Sequence, residues 1–313
     1  MEDLLFSLQT VFPLLMMMAV GFAARRADWL SPVAIRQLNA CVFRIFLPLL
    51  LCFNILDTTR GTPVDGFVLL YALLGTLACF GVLFLLVPKL CRVQNVRGVM
   101  IQGIARSNYA IFGIPLVMAM YPTADLSIAA FMVVVVVPVF NVLSTIALMA
   151  YGDHRTSAAK LLKGILLNPL ILGTAAGFLL WQLQCPIPLL IATPLRKLAS
   201  IATPLALFLL GASLDFGKAR SNLRLITIGV VGRLILVPLV FLTGAVALGI
   251  RDVSLATLIA VFASPTSVSS FPMAQQMGGN DELAGGQVVF STVFSILTVF
   301  LWVLVLKSFG FLA

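Results

Sequence analysis

Ser107–Pro115 reads SNYAIFGIP, and 157 residues later Ser264–Pro272 reads SPTSVSSFP. The opening serines and the closing prolines coincide. Both stretches interrupt apolar runs, and both carry residues that unsettle a helix. Proline lacks an amide donor and clashes with the preceding turn, and glycine adds backbone freedom. Two further blocks repeat at nearly the same spacing. Pro13–Ala23 (PLLMMMAVGFA) lies 156 residues before Pro169–Leu179 (PLILGTAAGFL), with five of eleven positions identical. At that same offset Ile45–Phe53 (IFLPLLLCF) falls on Ile201–Leu209 (IATPLALFL), superposing Pro48 on Pro204. Three blocks in order, offset by half the chain, indicate an internal duplication.

The rest of the chain says what is duplicated. Of 313 residues, 61% are hydrophobic and 10% charged, with a mean hydropathy of +1.13. A soluble domain is roughly 25% charged, so a soluble enzyme, a disordered protein and a nucleic-acid binder are excluded. A helix crosses a bilayer with about 20 apolar residues. Apolar runs at about 4–23, 33–56, 66–88, 98–120, 126–150, 164–183, 189–214, 225–248, 254–276 and 284–306 predict ten crossings. Five crossings per repeat is odd, so the second copy enters the membrane upside down. The expected fold is an all-α polytopic membrane protein: ten transmembrane helices as two inverted five-helix repeats, residues 1–150 and 164–313, with broken, crossing helices 4 and 9.

The net charge of +9 reports orientation. Loops after spans 1, 3, 5 and 7 hold Arg25, Arg26, Lys89, Arg92, Arg97, Arg155, Lys160, Lys163, Lys218, Arg220 and Arg224. The opposite face offers Arg60, Arg251 and Lys307, with Arg196 and Lys197 ambiguous. The positive-inside rule makes the first set cytoplasmic and puts both termini outside. Glu2 and Asp3 replace a basic n-region, so no cleaved signal peptide is expected. Cys41, Cys52, Cys79, Cys91 and Cys185 have no metal or redox spacing. His154, the single histidine, reads as a solvated loop residue. No Walker loop, HExxH, GxSxG or nucleotide fingerprint is present, so ATP drive, enzymatic chemistry and a cofactor lack sequence support.

Unwound backbone inside a membrane survives only against protein or a water-filled cavity. Span 4 carries Ser107, Asn108, Gly113 and Pro115; span 9 carries Ser264, Pro265, Ser267, Ser269, Ser270 and Pro272. Pro115 and Pro272 suit the first position of a restarted half-helix. Two such N-termini, converging near the midplane, would present free N–H groups and partial positive charge to an anion. All eleven acids fall at termini, loops or span ends, and a cation exchanger needs a buried carboxylate. Among embedded bases, Arg36 and Arg233 are expected to snorkel to a face. Arg106 either guides an anion toward the break or pairs with a carbonyl between domains. Arg44 in span 2 also enters the apolar region, and Asn141 is expected to line the cavity. Asn54 and Ser213 are weaker candidates.

Asn108–Pro115 (NYAIFGIP) resembles the Asn-x-x-x-x-Gly-Ile-Pro signature of the auxin efflux carrier family. Ala263–Gln276 (ASPTSVSSFPMAQQ) is similar to the ninth helix of its bacterial members, the malate or malonate permeases. Leu47–Phe53 and Pro204–Leu214 also match family patterns. The resemblance spans essentially the whole chain. It implies a scaffold of spans 1, 2, 6 and 7, a moving domain of spans 3–5 and 8–10, an elevator-type movement, Asn108 at the substrate carboxylate, and a homodimer. The chain departs from plant members in its short loop around Gly152–Lys163 and in a span 9 break that those members place nearer Ser270. The expected function is secondary transport of small organic acid anions across the plasma membrane, the bacterial inner membrane. A sodium- or proton-coupled carrier of larger amphipathic acids, or a non-transporting sensor, is the alternative.

Overall fold

A computed structural model describes residues 2–58, 65–152, 163–164, 166–184, 187–214 and 222–312, with side chains from Phe12 onward. Cys185, His154 and the loop residues Arg60, Asp153, Arg155, Lys160, Asp215, Lys218 and Arg220 lie outside the described set. Among the described residues the backbone is helical, and its one β feature is an isolated antiparallel bridge between Ser107 and Thr266.

In the first half, α1 spans Glu2–Arg26, α2 Pro32–Cys41, α3 Leu47–Leu56, α4 Gly66–Leu90, α5 Gln94–Ala105, α6 Ile114–Met120 and α7 Ser127–Ala150. In the second, α8 spans Pro169–Gln182, α9 Leu189–Ser213, α10 Leu223–Val231, α11 Val237–Ala247, α12 Asp252–Phe262, α13 Ser270–Gln276 and α14 Asp281–Ser308. Starts are fixed by local chemistry. Ser31, Asp65, Asn168 and Asn280 cap their helices through side-chain oxygens, and Pro32 and Pro169 follow two of them.

Among the described residues three π turns interrupt the helices, at Val42–Phe46, Tyr109–Gly113 and Gly232–Leu236. Each ends two residues before a proline: Pro48, Pro115 and Pro238. A proline ring crowds the carbonyl four residues earlier, and here that residue sits inside the widened turn. The turn therefore accommodates the proline without breaking the rod. Pro115 is accordingly the second residue of α6 within a continuous helical stretch from Tyr109, not the start of a half-helix. Pro272 is the third residue of α13, which begins at Ser270. The unwinding lies earlier than either proline, at 106–108 and 263–269.

Among the described residues, six helical runs are long and apolar enough to cross a membrane: Pro32–Leu56, Gly66–Leu90, Ser127–Ala150, Leu189–Ser213, Leu223–Ala247 and Asp281–Ser308. Tyr109–Met120, Pro169–Gln182 and Asp252–Phe262 are shorter apolar pieces. Leu70, Leu74 and Leu77 of α4 and Leu297, Leu301 and Leu304 of α14 are exposed at helical spacing, facing lipid rather than water. Leu255–Phe262 of α12 is buried all round, so α12 runs through the middle of the bundle.

Glycine sets the closest helix contacts. Gly21 of α1 lies so near α9 that a Cβ there would sit 1.9 Å from the Phe208 carbonyl oxygen. Gly177 of α8 meets the Cys52 carbonyl oxygen of α3 at 2.7 Å by the same measure. Advancing Gly21 by the 156-residue offset gives Gly177, and advancing Cys52 gives Phe208. The two contacts are one contact with its partners exchanged. Gly21→Ala is expected to lower stability in detergent by about 1–3 kcal/mol through overpacking, measured as a fall in Tm. Gly81→Ala, where nothing lies within 4 Å, should leave Tm level or raise it. Equal Tm values for the two variants would remove the packing argument.

Candidate functional site

The two unwound segments meet. The Asn108 backbone N–H donates to the Pro265 carbonyl (2.8 Å), and the Ser267 backbone N–H donates to the Arg106 carbonyl (3.3 Å). Around this bridge the freed backbone groups are taken up by side chains. Thr266 donates its hydroxyl to the Gly103 carbonyl (2.8 Å) and its amide to Ser291 Oγ (3.0 Å). The Gln102 amide donates to the Ser270 carbonyl (3.0 Å). Without such partners this backbone would be intolerable at membrane depth.

Arg233 completes the crossing. Its side chain, expected to snorkel, is fully buried. It donates to Ile104 and Ala105 at the end of α5 (3.2 and 3.0 Å) and to Val261 and Ser264 at the end of α12 (2.8 and 2.7 Å). Both helix ends carry unpaired carbonyls and partial negative charge. One guanidinium compensates two C-termini.

Arg106 is the second buried guanidinium, 4% exposed, and its surroundings differ. It donates to Asn141 Oδ1 (2.7 Å), Ser269 Oγ (2.7 Å) and the Met273 sulfur. None of these carries charge. The ion pairs Arg25–Asp28 and Arg196–Asp57 are exposed and do not involve Arg106. A buried cation with only neutral partners is costly unless something negative arrives.

Beside it lies a cavity of about 50 Å³. Arg106, Ser107, Asn108, Ser267 and Ser269 line it from the two breaks, with Tyr109, Ala110 and Ile111 from the turn that follows. Val268 from the second break, Leu47, Leu50, Leu51 and Asn54 of α3, Val137 and Phe140 of α7, and Thr203 and Ala206 of α9 complete the wall. Asn108 Nδ2 and Ser107 Oγ are buried and have no partner among the described residues. Ser267 and Ser269 share a hydroxyl contact of 2.9 Å. The Tyr109–Met120 stretch starts at the cavity, so its first-turn amides add donors.

The site residues named from sequence divide accordingly. Arg106, Ser107, Asn108, Ser267 and Ser269 come together at the cavity. Asn141 stands behind them, tied to Arg106 and donating to Thr174 Oγ1 (3.3 Å). Gly113 packs closely on Ala260 of α12. Ser264 and Pro265 serve the crossing through their carbonyls. Ser270 lends its carbonyl to Gln102, while Pro115 and Pro272 line no part of the cavity. Of the weaker pair, Asn54 lines the cavity and Ser213 bonds back to the Leu209 carbonyl. Sequence reasoning missed the role of Arg233, although a base inside an apolar run was its visible signal. It also missed Gln102, Thr266 and Met273, which carry no such signal.

No curated protein matches the chain. A sequence model for a family described as membrane transport protein matches residues 6–160 and 153–303. With that match across nearly its whole length, the chain belongs to the membrane transport protein family, that of the auxin efflux carriers, and is a multi-pass membrane transporter.

Proposed function

We propose that this transporter is a secondary, non-enzymatic carrier of small organic acid anions in the plasma membrane, working by elevator-type alternating access. The observation that carries the reading is Arg106: a buried guanidinium with neutral partners, beside a cavity where Asn108 Nδ2 and Ser107 Oγ are unpaired. A carboxylate supplies what all three lack, a negative charge and acceptor lone pairs.

The architecture that fits is ten crossings in two inverted repeats, with both termini outside. The exchanged Gly21–Phe208 and Gly177–Cys52 contacts support it, as does the meeting of two breaks at equivalent positions. In this reading α1–α3, α8 and α9 form the scaffold, and α4–α7 with α10–α14 form the moving unit. Asn108 donates its amide to the cargo carboxylate, a hydrogen bond to a charged group worth about 1.5–3 kcal/mol.

Reconstitution of the full chain in proteoliposomes, with labelled carboxylates under imposed voltage, proton or sodium gradients, tests the reading. Asn108→Ala is expected to lower apparent affinity roughly ten- to a hundredfold while expression and Tm stay near wild type. Uptake at wild-type concentration dependence by that variant would remove Asn108 from the site. Absence of carboxylate flux under every gradient would overturn the function.

A further inference from the structure

We propose that the cavity admits one negative charge, so that its cargo is a short monocarboxylate with an apolar body and dicarboxylates are excluded. This rests on the anion-carrier reading and narrows the class of anion. Arg106 is the only charged side chain among the described residues that line the cavity. The free donors of Ser107 and Asn108 follow it directly in the chain. Arg233, the other buried guanidinium, is held by four carbonyls and lines no part of the space. One carboxylate therefore meets a full positive charge, an amide and hydroxyls at a single place.

The rest of the wall is of another kind. Leu50 and Leu51 of α3 and Val137 and Phe140 of α7 offer only hydrocarbon. A second carboxylate would leave water for that wall and find no cation there. Burying an unpaired ion costs far more than a methyl group in the same place gains. The neutral side chains of Asn54 and Thr203 accommodate a hydroxyl or keto oxygen, not a second charge. Size agrees: about 50 Å³, against roughly 10–15 Å³ for one water by the same measure, holds only a few heavy atoms. The cargo so defined is not the malate or malonate that the sequence resemblance implies.

Matched acids test the proposal. Propionate and malonate have equal carbon counts and differ by a methyl in place of a carboxylate; butyrate and succinate are a second such pair. Ligand-induced thermal stabilisation of the purified full chain is measured with each, at mildly alkaline pH and fixed ionic strength. Propionate and butyrate are expected to bind more tightly than their dicarboxylate partners by roughly tenfold or more. Asn54→Lys, which sets an ammonium on α3 one turn beyond Leu50 and Leu51, is expected to narrow or reverse that ratio. Should that variant fail to fold, the wild-type ratios decide alone. Malonate binding as tightly as propionate would overturn the monoanion proposal and leave the carrier reading standing. A folded Asn54→Lys chain with an unchanged ratio would also count against it. Binding of none of the four acids, with no uptake in proteoliposomes, would overturn both.

Discussion

Arg233→Leu is expected to prevent assembly of the transporter. The substitution leaves four buried carbonyls, at Ile104, Ala105, Val261 and Ser264, without their donor. Each orphaned group costs about 1–3 kcal/mol, and no water is at hand to replace the guanidinium inside a bilayer. The loss also uncovers two helix C-termini at one point, so their partial negative charges face each other without a counter-ion. Together these terms rival the roughly 5–15 kcal/mol that hold a typical domain together. Size-exclusion profiles of the detergent-extracted protein are expected to shift from one peak to aggregate, with little intact chain recovered. Arg233→Lys should be intermediate, because an ammonium keeps the charge but cannot fork toward four acceptors on two helices. A monodisperse Arg233→Leu protein with wild-type Tm would show that the crossing is held by something else.

Arg106→Gln should behave in the opposite sense for stability. Its guanidinium is buried among an amide, a hydroxyl and a thioether, so the empty site carries a desolvated charge with nothing opposite it. Glutamine removes that charge and keeps an amide for Asn141 or Ser269. The unliganded variant is expected to match or exceed wild-type Tm, as replacements of buried charges often do. The same variant should lose carboxylate binding by roughly a hundredfold or more, since both a charge and charge-assisted hydrogen bonds disappear. Thermal stabilisation by propionate, titrated against both proteins, reads both quantities at once. A Tm well below wild type would make Arg106 a structural residue like Arg233, and an unchanged propionate response would remove it from the anion site.

These two arginines mark where sequence reading succeeds and where it stops. The breaks were legible because proline, glycine and clustered serines inside an apolar run leave few alternatives. Arg106 stood two residues from Asn108 and drew attention by position. Arg233 sits eight residues into its predicted span, near enough to a face for snorkelling to be reasonable in one dimension. What buries it is the arrival of two helix ends from elsewhere in the chain, and no local pattern announces that. Pro115 and Pro272 misled for a related reason. A proline needs relief at the carbonyl four residues back: before Pro115 a π turn supplies it without unwinding, and Pro272, third in its helix, finds that carbonyl in the already unwound 263–269 segment. The start of a half-helix therefore cannot be read from its proline alone. The apolar side of the cavity was invisible as well, because Leu50, Leu51, Val137 and Phe140 come from two helices whose sequences look like any lipid-facing run.

The glycine contacts have a mechanical meaning. Where helices meet through interleaved side chains, rotamers can readjust and the helices can slide by small steps. Gly21 against Phe208 and Gly177 against Cys52 leave no such cushion, since each places a backbone carbonyl in a notch that even a methyl would fill. Sliding α1 along α9, or α3 along α8, would drive those carbonyls out of their notches and into neighbouring side chains. Each pair is a keyed joint, stiff along its axis, so displacement has to be absorbed at softer seams. One such seam lies between α2 and α13, where the buried Asn39 donates its side-chain amide to Gln275 Oε1 (2.9 Å), a contact that can shift only if water or another polar group takes over the lost partner.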